Sequence, residues 1–263
     1  MKVNYNNDGR IMLSIQKASA LKRISAGLLD AIVLSILSLG FTLIISAVTG
    51  YDAKSQRLQD LYSRYESAYS VDFDVTEQQY KLYSEEQSSQ YDKAYEALIN
   101  DAEVLQLYPQ ILNLTVLMIS LGLFLSCLIA EFIVPLILGN GMTLGKKVFS
   151  IALMHDNGVR VDAVALFIRT ILGKYTIEIM IPALIVIMIS FNTIGLVGAV
   201  VLGLILLLQA ILFLATGNRT LIHDLLARTV CVDYASQRIY ASQATMLEAI
   251  RQEAQRKAEE KEY

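Results

Sequence analysis

The chain has 263 residues, of which 54% are hydrophobic and only 18% charged, with a formal net charge of −3. That is too apolar for an ordinary soluble domain, and the near balance of charge gives no reason to expect nucleic acid as a partner. The apolar residues are gathered in blocks long enough to cross a bilayer, so the sequence predicts an integral membrane protein.

Residues 1–25 form a polar, basic arm in which Arg10 to Ile15 alternates weakly, as a strand does. A first span is expected over 26–48, with Lys22 and Arg23 at its mouth and Asp30 just inside. Arg23 and Asp30 are seven residues apart, so on a helix they share a face two turns apart. Charges at the mouth of a span cost free energy unless they are partnered. The apolar run starts well inside the chain and lacks a small-residue cleavage site, so it is expected to persist as a helix rather than be removed as a signal.

Residues 49–109 change character, with twelve Asp or Glu against five Lys or Arg. Leu58, Leu61, Tyr62, Tyr65 and Tyr69 make one apolar stripe at helical spacing, and Tyr91, Tyr95, Leu98, Ala102 and Leu105 another. Thr76 with Gln79 and Ser84 with Gln87 have the spacing of capping boxes. With Val71–Asp74 as the turn, the segment reads as an antiparallel helical hairpin whose tyrosines fill its core. The second span is expected over 110–138. It is uncharged as far as Ala130, then meets Glu131 and Pro135, where the helix either stops or bends.

Gly139 to Lys147 faintly resembles a phosphate-binding loop. Its spacing is wrong, no Ser or Thr follows the lysine, and a helix precedes it, so it reads as a turn leaving the membrane. Val148–Met154, a turn at His155–Gly158 and Val159–Val161 predict a β-hairpin. Asp162 then opens an amphipathic stretch to Lys174 that fits an interfacial helix, which completes a segment at 139–174. The uncharged run from Ile179 to Asn218 is too long for one span. It is divided into spans at 175–191 and 194–215 that turn near Phe191–Gly195. Thr229–Val232 reads as a further strand for the hairpin, and from Ser236 the chain reads as a solvated helix within the 216–263 segment.

The expected architecture is therefore an all-α integral membrane protein. It has four transmembrane helices, a small cytoplasmic β-hairpin and an extracytoplasmic helical hairpin insertion. Lys and Arg number five in the N-terminal arm, five in 139–175 and seven in 216–263, against the acidic 49–109 loop. Both termini are accordingly expected in the cytoplasm, with the protein multi-pass in the cell membrane.

No nucleophile or metal-ligand motif emerges, so no enzyme, cofactor or metal is expected. His155 reads as a turn residue and His223, beside Asp224, as a surface imidazole. Cys127 and Cys231 form no spacing motif, and no disulfide is expected. What remains is a set of ionisable groups at one membrane depth. Arg23, Asp30, Glu131, Glu178 and Asp224 form the cluster, with Lys146, Arg169, Lys174 and Arg219 as basic partners. Partly buried carboxylates can hold a monovalent cation or pass a proton. Equally, such a ring of charge can serve only to lock four helices together. No charge lies near the middle of a span, where Gln209 is the most polar group of the fourth.

The run Arg23-Ile24-Ser25-Ala26-Gly27-Leu28-Leu29-Asp30, then Gly141-Met142-Thr143-Leu144-Gly145-Lys146, carries a family likeness. Asp156 and Gly158, Arg169, and His223-Asp224-Leu225-Leu226-Ala227-Arg228-Thr229-Val230 continue it. Together these motifs resemble the RDD family over residues 18–233, outside the acidic insertion. The resemblance makes Arg23, Asp30 and Asp224 the arginine and two aspartates for which the family is named. It implies an integral membrane protein linked to transport and, in some members, to cation–proton exchange, while other members look like partners in membrane assemblies. The expected partners are then the lipid bilayer, a monovalent cation or proton, and proteins bound through 52–108 and 236–263.

Overall fold

The computed structural model describes residues 3–5, 11–13, 15–190, 193–216 and 220–259. A short antiparallel pair, β1 (Val3–Tyr5) and β2 (Ile11–Leu13), precedes α1 (Ala20–Thr49). Then come α2 (Tyr51–Tyr69), α3 (Glu77–Tyr80), α4 (Glu85–Ile99) and the long α5 (Ala102–Leu138). They are followed by α6 (Leu144–Val148), β3 (Ile151–His155), α7 (Ala163–Ser190), α8 (Gly195–Ala215), α9 (Ile222–Leu226), β4 (Thr229–Asp233) and α10 (Gln243–Glu259). Among the described residues four helices, α1, α5, α7 and α8, are long and apolar enough to cross a membrane. Leu28, Ile36 and Val48 of α1 and Leu196, Leu206 and Leu214 of α8 stay largely exposed, an apolar surface suited to acyl chains rather than water.

The chain divides into two compact units, residues 38–122 and residues 1–37 with 123–263. In the first, Gly50 takes a left-handed conformation (φ 64°) and lets α2 start one residue after α1 ends. The capping boxes at Thr76/Gln79 and Ser84/Gln87 are both formed, which starts α3 and α4 where the sequence places them. Leu61, Leu98 and Val104 are buried against Tyr62, Tyr65 and Phe73. Arg57 closes on Glu103 through two hydrogen bonds of 2.6 and 2.8 Å, and the Tyr65 hydroxyl donates to Asp101 at 2.8 Å. Gly122 is needed in α5, because a Cβ there would stand 2.7 Å from Thr42 Oγ1 and 3.3 Å from the Ser38 carbonyl of α1. Leu98 is fully buried, so Leu98→Ala is expected to destabilise this unit by about 2–5 kcal/mol. Faster hydrogen exchange over residues 51–99, with residues 143–155 unchanged, is the measurement that checks it.

In the second unit β3 pairs antiparallel with β4, from Ile151↔Asp233 to His155↔Thr229. This differs from the expected hairpin. The 148–150 segment ends α6 and turns, and Val159–Val161 meets β3 at a single bridge, Met154↔Arg160, its other bridge running to Tyr240. The run Thr229–Val232 wins because it buries Val230, Cys231 and Val232 against Ile151, Leu153 and Met154, which an exposed loop strand cannot match. Lys17 bridges to Val232, and Lys22 Nζ lies 2.5 Å from Asp233 Oδ2, so the sheet is tied to the start of α1.

Other departures also have local causes. Helix α1 begins six residues before the expected span, at Ala20, since the Ser19 hydroxyl accepts from the Lys22 N–H at 3.3 Å and Lys22 and Arg23 fit its first turns. The stretch after Asp162 is no separate interfacial helix. Asp162 caps it by accepting from the Ala165 N–H at 2.7 Å, and the helix then runs unbroken into α7. Helix α5 passes Glu131 without stopping. Both α5 and α7 contain a π-helical stretch, Leu128–Ile133 and Ile168–Met180, each ending two residues before a proline, Pro135 or Pro182. Proline removes an N–H donor and crowds the preceding turn, which a widened turn relieves. The expected turn at 191–195 lies partly outside the described residues, which resume at Thr193. Helix α10 is not wholly solvated, because Met246 and Ile250 are buried with Tyr240.

Candidate functional site: a buried charge cluster among the spanning helices

The second unit gathers charged side chains from α1, α5, α7 and α9 and from the loop that starts α6. Asp224, fully buried on α9, takes Arg169 Nε at 3.1 Å on Oδ1 and Arg23 Nη2 at 3.2 Å on Oδ2. Thr229 also donates to it, at 3.4 Å, as does the Leu221 N–H. One carboxylate therefore serves two guanidiniums from different helices. Burial alone would raise its pKa, but His223, Arg169 and Arg23 overcome that and hold the carboxyl well below the ordinary range.

Asp30 is 6% exposed and is held by the loop after α5. The Thr143 hydroxyl donates to Oδ2 at 2.5 Å and the Gly145 N–H to Oδ1 at 2.7 Å. Thr143 is also the N-cap of α6, so the turn that starts this helix is the one that grips the aspartate. Gly145 is obligatory, since an added Cβ would stand 2.2 Å from the Ala26 carbonyl of α1 and 2.9 Å from the Asp30 carboxyl. Arg23 and Asp30 do share the helix, as the sequence implies, but Arg23 is directed to Asp224, across to α9.

Glu131, 1% exposed, sits in the first π stretch. It forms an ion pair with Lys174 through Oε1, while Lys146 Nζ lies 3.9 Å from Oε2. That second oxygen has no hydrogen-bond partner among the described residues. The Glu131 backbone carbonyl accepts from Thr170 at 2.9 Å, which joins the two π stretches. Burial pushes the Lys146 ammonium pKa down, and Glu131 offsets this only in part. Glu178 accepts from the His223 backbone N–H at 3.2 Å and meets His223 Nδ1 at 2.7 Å. An ionised carboxylate can only accept, so Nδ1 carries a proton.

These contacts overturn the reading of His223 as a surface group: it is 5% exposed, and Gly173 must be glycine to let it in, since a Cβ there would stand 2.5 Å from that of His223. Burial lowers the imidazole pKa, and Arg169 adds to the effect. Arg219 lies outside the described residues. Among the described residues no group of three His, Cys, Asp or Glu is placed to hold a metal, and both cysteines are free thiols.

A cavity of about 620 Å³ opens beside the cluster. Arg23, Asp30, Lys146, Arg169, Lys174 and Glu178 line its polar part, and Ile24, Ala31, Leu34, Ile179 and Phe213 its apolar part. Arg23 lies over the Phe213 ring at 5.4 Å. Glu131 and Asp224 stand behind the bases they serve and do not line the cavity. The structure thus gathers Arg23, Asp30, Glu178, Lys146, Arg169 and Lys174 around one space, with two acids as buried anchors. Thr143, Gly145 and Thr170 complete the arrangement; the first two stand in the family-like run Gly141–Lys146 but were not named as site residues. The physical signal for Thr143 is its cap position three residues before Lys146.

The two lowered pKa values fix the sign of the response to acid. His223 titrates below its unfolded value, so the unfolded chain takes up the proton first as pH falls below about 6.5. Asp224 does the same below about 3.9. Stability is expected to fall with acid in two stages, and His223→Gln to remove the earlier one. Thermal unfolding in neutral detergent between pH 8 and pH 3 checks this. A family model described as the RDD family matches residues 17–228. No curated protein and no solved structure matches the chain.

Proposed function

The chain belongs to the RDD family and is a multi-pass membrane protein with four apolar helices, and from that premise we propose that its cavity carries protons or monovalent cations. The observation that supports this reading is that Asp30, Glu178 and His223 all line one space among the spanning helices. Asp30 is the cation carboxylate, held open to the cavity by Thr143 and Gly145. The Glu178–His223 pair exchanges the proton, since imidazole Nδ1 and carboxylate Oε2 stand 2.7 Å apart, within proton-transfer reach. Arg23 and Arg169, fixed by Asp224, set the potential that both groups feel. No covalent chemistry is involved, so the protein is not an enzyme in this reading. The excess of Lys and Arg in the arm, the middle segment and the tail supports a topology with both termini in the cytoplasm.

Asp30→Asn tests the proposal. The amide oxygen keeps an acceptor for the Gly145 N–H, while the charge and the acceptor for the Thr143 hydroxyl are lost. In vesicles holding the full chain, cation flux driven by a pH gradient is expected to fall at least about tenfold, a barrier increase of about 1.4 kcal/mol. Wild-type flux no greater than that of empty vesicles would sink the proposal. A second reading, an interaction subunit that binds proteins through 52–108 and 236–263, draws on the exposure of Leu82 (84%) and Tyr95 (49%). Under it, deleting 52–108 removes co-purifying proteins and leaves flux absent throughout.

A further inference from the structure

We propose that Lys146 is a tethered cation: its ammonium holds the place beside Asp30 that a monovalent cation takes, and crosses to Glu131 when that cation arrives. The inference rests on the reading of Asp30 as the cation carboxylate and names what competes for it. Thr143 makes the connection. Its hydroxyl donates to Asp30 Oδ2 and accepts from both the Nζ and the backbone N–H of Lys146, each at 3.3 Å. A hydroxyl has one proton to give and two lone pairs, so these bonds use Thr143 in full. A cation that lies on Asp30 and takes Thr143 Oγ1 as a further oxygen must displace one of the two donors. The backbone N–H is fixed by the cap of α6, whereas the ammonium ends a flexible stem and is the one that moves.

Its destination is already built. Lys146 Nζ lies 3.9 Å from Glu131 Oε2, and that oxygen is buried with no hydrogen-bond partner among the described residues. The other oxygen is taken by Lys174. A buried carboxylate oxygen left without a donor is costly. A shift of Nζ by about 1 Å brings it to a charge-assisted bond of about 2.8 Å. The ammonium is poised between two oxygens and seated well on neither.

The surroundings favour exchange over accumulation of charge. Lys146 feels Asp30 from α1, Glu131 from α5, and Arg169 and Lys174 from α7. Arg169 is held by Asp224 and Lys174 by Glu131. A cation arriving at Asp30 adds positive charge beside a buried ammonium and repels it towards Glu131. Lys146 and Asp30 both line the cavity and Glu131 does not, so the crossing also clears the site.

Cation binding, read without flux, supplies the test. Full-length protein in neutral detergent is titrated calorimetrically with sodium or potassium chloride against choline chloride at equal ionic strength. Lys146→Gln is expected to tighten binding of the preferred cation at least about tenfold, because the competitor is gone. Asp30→Asn is expected to abolish binding. Glu131→Asp keeps the charge but draws it back by one methylene, so the ammonium is no longer received, and affinity is expected to fall about tenfold. In the Lys146→Gln background the same Glu131→Asp change is expected to have no effect. Failure of Lys146→Gln to tighten binding, an effect of Glu131→Asp that persists without the lysine, or binding that survives Asp30→Asn overturns the proposal. So does a Lys146→Gln protein that takes up neither cation, and if Glu131→Asp does not fold, the Lys146→Gln result alone decides. This pattern of affinities without vesicle flux sinks the transport reading and leaves the exchange standing; flux with affinities indifferent to Lys146 does the reverse.

Discussion

Asp224→Ala is expected to destabilise the protein by about 3–5 kcal/mol, the largest effect of any single substitution in the cluster. The residue is 0% exposed and accepts from Arg169 and Arg23, themselves almost fully buried. Removing it leaves two guanidiniums, drawn from α1 and α7, facing each other with no anion between them. The cost is that of stranded charge, not of one lost contact. A matched replacement discriminates: Arg23→Met with Arg169→Met and Asp224→Leu leaves no charge stranded and is expected to recover most of the loss. Melting temperatures in neutral detergent at pH 7.5 decide it. A triple variant as unstable as the single one would show that the three groups contribute through geometry alone.

Gly145→Ala is expected to cost about 1–3 kcal/mol although it adds a single methyl group. That methyl would stand 2.2 Å from the Ala26 carbonyl, a backbone atom that cannot rotate away, so either α1 or the start of α6 must move. Either shift draws the Gly145 N–H from Asp30. The control lies on α1, next to that carbonyl, because Gly27→Ala adds a methyl into open space. It is expected to be neutral or to stabilise by up to about 1 kcal/mol through helix propensity. Equal melting temperatures for the two variants would refute the close approach of loop and helix.

The four spans and the capped hairpin were legible because their signals are local. A run of uncharged residues of bilayer length needs no tertiary information, and Thr76/Gln79 or Ser84/Gln87 state a helix start within four residues. The list of charged site residues was legible for a related reason: ionisable groups stand out against an apolar background. Who pairs with whom was not. Asp30 shares a helix face with Arg23 two turns away, yet its partners are a threonine and a backbone N–H more than a hundred residues on.

His223 was misread because its burial depends on Gly173, a residue with no side chain to advertise a contact. The π stretches explain why periodicity alone could not place Glu131, Arg169 and Lys174. A turn of more than 3.6 residues shifts the phase of everything beyond it, and a single helical period loses its place there. The strand pairing was legible only in part. Thr229–Val232 was assigned to the same sheet, but the nearby Val159–Val161 was given the place beside Ile151–His155 that the downstream strand takes.

Asp224 also has a consequence for biosynthesis. It lies 201 positions after Arg23, so a ribosome extending the chain at about 5–20 residues per second releases the arginine some 10–40 s before the aspartate. Throughout that interval the nascent first helix must be tolerated by the insertion machinery with its cation held by water or lipid phosphate. The last described strand to emerge, β4, carries the Thr229 that donates to the aspartate. Premature termination between residues 216 and 223 therefore leaves a product with all its spans but no keystone, the kind of chain that membrane quality control removes.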